Sequence, residues 1–149
     1  LPQPLRWLTA LSGVALAVVL VLGTMVTGAG PHAGDKSIER SVPRLALDIT
    51  NLVHLHAEAL VGYLALLIGL TFAVYAVHAP RAVTLRLKVV LALVVAQACI
   101  GLVQFWTDVP AVLVVFHVAG AGLCTAATAA VWAAGRTRTT TPDREPVPA

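Results

Sequence analysis

Charged side chains are scarce in this sequence. Only 11% of its 149 residues are Asp, Glu, Lys or Arg, whereas 58% are hydrophobic. Soluble globular domains contain about 25% charged residues. This shortage excludes an ordinary soluble domain and indicates that lipid is the solvent for most of the chain.

The sequence also lacks a cluster of basic residues and a framework of cysteines. The net charge is +3, but Lys and Arg are spread between the apolar runs. This spread is typical of topology signals, and no nucleic-acid partner is predicted. The two cysteines, Cys99 and Cys124, both lie inside apolar runs. They are predicted to be packed thiols, not a disulfide or a redox pair.

Four apolar stretches are each long enough to cross about 30 Å of hydrocarbon. They cover approximately residues 7–25, 50–77, 87–105 and 110–134. The short connection between the last two makes them antiparallel neighbours, so residues 1–134 are predicted to form an all-α, four-transmembrane-helix up-and-down bundle. Small residues are expected at its helix interfaces, namely Gly62, Ala65, Gly101, Gly120, Ala121 and Gly122. The polar, proline-rich stretch 135–149 is predicted to be a disordered tail.

The distribution of Lys and Arg predicts the orientation of the bundle. Seven of the ten lie at one end of the apolar stretches, and the other three are Lys36, Arg40 and Arg44 in the first loop. Because basic residues are enriched on the cytoplasmic side, both termini are predicted to be cytoplasmic, with the loop at residues 27–49 outside.

Two histidines are predicted to lie at the same depth in the membrane. His56 is six residues into the second stretch and His117 is seven residues into the fourth, about 9 and 10 Å deep at 1.5 Å per residue. Two imidazoles that face each other across a bundle suit a bis-histidine heme. Gly120 shares the face of His117 and leaves room for a flat macrocycle.

Other polar residues in these stretches are given simpler roles. His54 lies about 200° around the helix from His56, and it is predicted to pair with Glu58 at position i+4. Gln97 and Gln104 share a stripe of the third stretch with Gly101. They are predicted to make hydrogen bonds between helices, because buried amides need partners.

Spacing alone leaves other functions open. A histidine near a helix end is more often an interfacial hydrogen-bonding group than a ligand. A bis-histidine b-type cytochrome that exchanges electrons with quinone is one alternative. The other is a heme-free transporter or scaffold half, with a proton or substrate path through His54, His56, Glu58 and His117.

Four segments resemble the heme A synthase family. They read VTGAGPHAGD at 26–35, LHAE at 55–58, QACIGLVQ at 97–104 and FHVAGA at 116–121. The resemblance extends over about residues 8–134. Members of that family usually have eight spans built as two similar four-helix halves, and this chain is similar to the second half.

The resemblance implies a membrane oxidoreductase of heme biosynthesis. Such enzymes oxidise a ring methyl of heme O to the formyl of heme A, for cytochrome oxidase assembly in the bacterial plasma membrane. The expected partners are heme O as substrate, membrane lipid and an N-terminal four-helix half of the same protein. Heme O synthase and an electron donor are further expected partners.

The resemblance also implies roles for individual residues. His56 and His117 would be the axial ligands of a heme b (iron protoporphyrin IX). The loop cations Lys36, Arg40 and Arg44 are candidates to pair with its propionates. His32 would bond a propionate or cap its turn. The substrate half typically has a glutamate three residues before its first histidine, where this chain has Val53. Oxidation is therefore expected in the other half, and no catalytic residue is assigned here.

Overall fold

A computed structural model of the chain describes residues 1–31 and 45–136. These residues form four helices, each long and apolar enough to span a membrane. The helices are α1 Gln3–Ala29, α2 Ile49–Ala76, α3 Arg81–Trp106 and α4 Ala111–Arg136. The predicted all-α four-helix membrane bundle is confirmed. Of the stretch 135–149 that was predicted as a disordered tail, residues 135 and 136 belong to α4, and 137–149 lie outside the described residues.

Local sequence signals set where the helices begin and turn. The side chain of Asp48 accepts hydrogen bonds from the backbone N–H groups of Thr50 and Asn51, and so caps α2. Pro80 stands immediately before α3. The backbone turns sharply into α4 at Asp108 and Val109, which both have a φ of 56°, a left-handed conformation that few non-glycine residues adopt.

The third helix begins six residues earlier than hydropathy predicts, at Arg81 and not Leu87. Its first turns contain basic residues whose charged ends find partners on neighbouring elements. Arg86 donates to the carbonyl of Ala130 at 3.1 Å, and the Lys88 ammonium lies 5.8 Å from the centre of the Tyr75 ring. Long cationic side chains can cover apolar surface with their methylene groups while their charged ends reach polar partners, so the helix can begin before its apolar stretch.

The helices form a ring in which each packs on its sequence neighbour. Helix α1 packs mainly on α2 and α3 mainly on α4, and looser α1–α4 and α2–α3 contacts close the ring. Helices α2 and α4 are therefore diagonal and parallel, with none of their described Cα atoms within 8 Å of each other. We call the end of the bundle with Arg6, Arg81 and Arg136 the basic end, and the opposite half the histidine half.

The large buried side chains are concentrated toward the basic end. Tyr63, Leu67, Leu70, Leu87 and Val90 are each 1% exposed. The Tyr63 hydroxyl reaches across the bundle to the Thr128 hydroxyl at 3.2 Å. This hydrogen bond joins the diagonal helices α2 and α4 directly.

The small residues divide into two groups. Gly101 and Gly120 face into the bundle, as predicted, and each is approached by a side chain of the facing helix. Gly62, Ala65 and Gly122 are exposed instead, so their predicted place at interfaces within this chain is wrong. The helical period tells which residues share a face, but not which face is buried. In a helix that is apolar all round, hydropathy does not distinguish the buried face from the exposed one.

Both cysteines are free thiols, as predicted. Cys124 is buried, in agreement with the predicted packing, whereas Cys99 is exposed, so its predicted packing within this chain is wrong.

Removing the hydrogen bond between Tyr63 and Thr128 should reveal a direct coupling between the diagonal helices. We expect Tyr63→Phe and Thr128→Val each to lower the free energy of unfolding, and the double variant to lose less than the sum. The coupling energy should be about 0.6 kcal/mol, as is typical of hydrogen bonds between membrane helices. Unfolding by denaturing detergent in mixed micelles would measure it. Strictly additive losses would contradict a direct bond.

Candidate functional site

His56 is held in one orientation by the helix beside it. It lies half-buried on α2, and its Nδ1 atom is 3.0 Å from the carbonyl oxygen of Val19 on α1. A carbonyl oxygen only accepts hydrogen bonds, so this contact requires the proton on Nδ1. The lone pair of His56 is then on Nε2, the usual arrangement of a histidine that is ready to bind a metal ion.

A glycine on α1 allows this approach. A Cβ atom at Gly23 would lie 3.1 Å from Cε1 and 3.4 Å from Nδ1 of His56. Contacts this short are tighter than most Cβ atoms make, so any larger side chain would displace the ring. The imidazole of His56 therefore packs directly against Gly23.

His117 occupies a similar place in the second helical hairpin. It is half-buried on α4, and a Cβ atom at Gly101 on α3 would lie 3.4 Å from its Cε1. In each hairpin a glycine near the end of the first helix faces a histidine near the start of the second. One difference separates them: Nδ1 of His117 is buried and has no hydrogen-bond partner in the described chain.

The two imidazoles meet across the axis of the bundle. Their ring centroids are 6.5 Å apart and their planes are inclined by 70°. No other described side chains bring aromatic rings together. The diagonal helices α2 and α4, whose backbones stay apart, thus approach each other here through two titratable side chains.

This separation fits one metal ion between two rings. Imidazole nitrogens bind metals at about 2.0–2.1 Å, which places the centroids of two rings on opposite sides of one ion roughly 6 Å apart. A shared ion sets no condition on the angle between the ring planes. No group of three or more His, Cys, Asp or Glu in residues 1–31 and 45–136 could hold a metal, and the pair itself offers two ligands.

The three glycines of the histidine half do not leave an open space. Gly23 is approached by His56, Gly101 by His117 and Gly120 by the amide of Gln97, so the room for a flat macrocycle that was predicted at Gly120 is already occupied. The partnerless Nδ1 of His117 and the partnerless Oε1 of Gln97 are both buried, and buried polar atoms normally have partners. These two unsatisfied atoms are the feature of the site that fits a bound group.

Gln97 and Gly120 interlock on the facing helices α3 and α4. A Cβ atom at Gly120 would overlap the amide of Gln97. The pairs Gln97–Gly120 and Gly101–His117 lie one helical turn apart on the same two facing stripes. The amide of Gln97 therefore lies one turn from the ring of His117, on the side toward the basic end.

Several residues singled out in the sequence lie away from this pair. His54 and Glu58 are exposed on α2, and although the structure describes both, they form no ion pair, so that predicted pairing is wrong. Their i, i+4 spacing permits a pair, but water or lipid headgroups can satisfy two exposed side chains equally well. His78 is exposed at the basic end. The predicted propionate partners Lys36, Arg40 and Arg44, and also His32, lie outside the described residues.

Two contributors to the site were not predicted from the sequence. The Val19 carbonyl is a backbone group, so no pattern of residue types predicts its role. Gly23 could have been predicted, because a glycine inside a long apolar helix weakens the helix and usually indicates that another group approaches closely. In both hairpins a glycine near the end of the first helix precedes a histidine near the start of the second. This shared position of Gly23 and Gly101 is the sequence signal that would have identified Gly23.

Filling the space at Gly120 should displace Gln97. We expect Gly120→Ala to lower the free energy of unfolding by about 1 kcal/mol, since the amide must move out of its position. Gly122→Ala is the matched control, because nothing lies within 4 Å of a Cβ atom there. In a Gln97→Ala background, Gly120→Ala should no longer destabilise the protein. Equal effects at positions 120 and 122, measured in mixed micelles, would contradict the interlocked arrangement.

Comparison of this chain with protein-family models, with curated proteins and with solved structures finds no match.

Proposed function

We propose that this chain is the heme b-binding four-helix half of a membrane oxidoreductase that converts heme O to heme A. One observation carries the proposal: the imidazoles of His56 and His117 lie 6.5 Å apart across the bundle axis. The resemblance of four sequence segments to heme A synthases supplies the substrate and the reaction. The number and polarity of the helices agree with a location in a membrane.

In this proposal His56 and His117 are the two axial ligands of the heme. Such a heme supplies one-electron transfer, and its potential depends on its axial ligands, on hydrogen bonds to them and on burial. At His56, the hydrogen bond to the axial ligand is already present without a bound heme. Because the Val19 carbonyl accepts its Nδ1 proton, Nε2 is held as the metal-binding atom and the imidazole becomes a stronger donor.

Gln97 is the candidate for the same role at His117. It carries a buried acceptor oxygen without a partner, and His117 carries a buried ring nitrogen without one. When His117 binds a metal through Nε2, its Nδ1 atom must carry the proton and becomes a donor. We propose that the amide oxygen of Gln97 accepts this proton, which would pair both unsatisfied atoms.

Other parts of the proposal concern residues and partners beyond this pair. Lys36, Arg40 and Arg44 are proposed to bind heme propionates, since guanidinium and ammonium groups form strong charge-assisted hydrogen bonds with carboxylates. Oxidation of heme O is proposed to occur in an N-terminal four-helix half, where the electrons removed from the ring methyl pass to an electron acceptor and water supplies the formyl oxygen. Gly120 contributes by leaving the space that the amide of Gln97 occupies.

A b-type cytochrome that exchanges electrons with quinone is the second candidate. The same pair of imidazoles supports it, since the pair by itself indicates a heme and not a product. The heme-free transporter is less well supported, because His54 and Glu58 are exposed and do not line a path with His56 and His117.

Absorption spectra would test the heme site. We expect the chain, purified from membranes, to give a low-spin b-type reduced-minus-oxidised spectrum, and His56→Ala and His117→Ala each to lose most of the bound heme. His54→Ala and His78→Ala are the matched controls and should keep it. A colourless protein, both alone and with an N-terminal half co-expressed, would refute the proposed site, as would heme loss in the His54 variant alone.

Analysis of the extracted hemes would then separate the two candidates. Co-expression with an N-terminal half and a supply of heme O should yield heme A, and the His117→Ala variant should yield little or none. A protein with a normal b-type spectrum that never produces heme A would favour the electron carrier.

The role of Gln97 predicts a change in both affinity and potential. Gln97→Leu should weaken heme binding about ten-fold or more, the usual effect of losing a hydrogen-bond partner of a metal-bound histidine. It should also raise the reduction potential, because the imidazole of His117 becomes a poorer donor, and Gln97→Glu should lower it. Gln104→Leu on the same stripe of α3 is the control. Equal potentials for the Leu and Glu variants in a redox titration would contradict this role.

A further inference from the structure

A groove separates helices α1 and α4 toward the basic end of the bundle. Its volume is about 350 Å³. Thr9, Leu16 and Thr128 form its buried floor, and small residues such as Gly13 and Ala129 form its walls. It exists because α1 and α4 have small side chains where α2 and α3 have large ones.

The hydroxyl groups that line the groove are already bonded within the bundle. The hydroxyl of Thr9 donates to the Leu5 carbonyl at 2.8 Å, and that of Thr125 donates to the Ala121 carbonyl at 2.9 Å. The Thr128 hydroxyl is bonded to Tyr63. A mainly apolar surface whose hydroxyl groups are already satisfied suits a hydrocarbon chain.

One arginine continues each wall of the groove beyond its apolar part. Arg6 lies one turn before Ala10 on α1, and Arg136 lies one turn after Trp132 on α4. Both arginines are exposed, and the guanidinium of Arg136 lies 5.4 Å from the centre of the Trp132 ring. Each of the two helices that form the groove thus carries one exposed cation beyond its apolar part, toward the basic end.

We propose that this groove binds an anionic phospholipid, with an acyl chain along α1 and α4 and the phosphate between Arg6 and Arg136. Basic pockets between membrane helices are recognised sites for anionic headgroups, and guanidinium groups pair well with phosphate. A tryptophan at the level of the headgroup is also typical of a membrane interface. The site is independent of the histidine pair.

Charge argues against a second copy of the chain as the occupant. A two-fold symmetric contact would place the same surface on both partners. It would bring Arg6 and Arg136 close to their own counterparts, with no acidic residue on the groove walls to offset them. An anionic lipid gains from the same two charges.

Fluorescence quenching by brominated lipids would test the site with the full chain. Trp7→Phe with Trp106→Phe leaves Trp132, which lines the groove, as the only tryptophan. The protein is reconstituted into bilayers that contain brominated phosphatidylglycerol or brominated phosphatidylcholine at equal mole fraction. We expect stronger quenching by phosphatidylglycerol than its mole fraction predicts, and no such excess for phosphatidylcholine.

Substitutions then test whether the preference for phosphatidylglycerol arises in the groove. Arg6→Gln and Arg136→Gln should each reduce the relative affinity for phosphatidylglycerol about five-fold, as expected for one basic residue at a charged surface. Arg81→Gln, at the same end but away from the groove, should leave it unchanged. Gly13→Leu should abolish the excess by filling the groove, whereas Gly69→Leu should not. Both glycines have nothing within 4 Å of a Cβ atom, and the helical circular dichroism of each variant is measured to show that both fold.

Three results would overturn the proposal. The first is equal quenching by the two headgroups. The second is a preference for phosphatidylglycerol that survives both arginine substitutions. The third is quenching below the mole fraction for both lipids, which would mean that protein, such as a second copy of the chain, covers Trp132.

Discussion

The candidate site depends on the contact between two imidazoles from diagonal helices. In a four-helix ring the diagonal backbones are too far apart to pack, and here none of the described Cα atoms of α2 and α4 come within 8 Å. Only side chains reach across. His56 and His117 do so in one half of the bundle, and Tyr63 and Thr128 do so in the other.

This arrangement divides the bundle into two parts with different packing. Toward the basic end, large aliphatic side chains fill the centre and supply the close packing that holds membrane helices together. In the histidine half, glycines replace them and let the imidazole rings lie against the neighbouring helices. The tightly packed part can thus hold the helices at fixed distances while the other part brings the two imidazoles together.

Hydrogen bonding gives the two histidines different starting states. His56 already has its Nδ1 proton accepted by the Val19 carbonyl, so its orientation is fixed without a ligand. His117 has no such partner, and the nearby amide of Gln97 is also incompletely paired. In the proposed heme site, binding would therefore reorganise the α3–α4 hairpin more than the α1–α2 hairpin.

Much of the fold could be predicted from the sequence, because each helix is a long apolar run bounded by proline, glycine or charge. The equal predicted depth of His56 and His117 in the membrane was enough to identify them as a candidate pair. The faces of Gly62 and Gly122 could not be predicted, since a helix that is apolar all round does not reveal which side is buried. The hydrogen bond of His56 could not be predicted either, because its acceptor is a backbone carbonyl in another helix.

The most direct test of the central claim is an electron paramagnetic resonance spectrum of the oxidised, purified protein. A single iron between His56 and His117 predicts a low-spin ferric signal typical of two imidazole ligands, and its loss in both His56→Ala and His117→Ala. A high-spin signal in the unaltered protein, or a low-spin signal that survives either substitution, would contradict axial ligation by this pair.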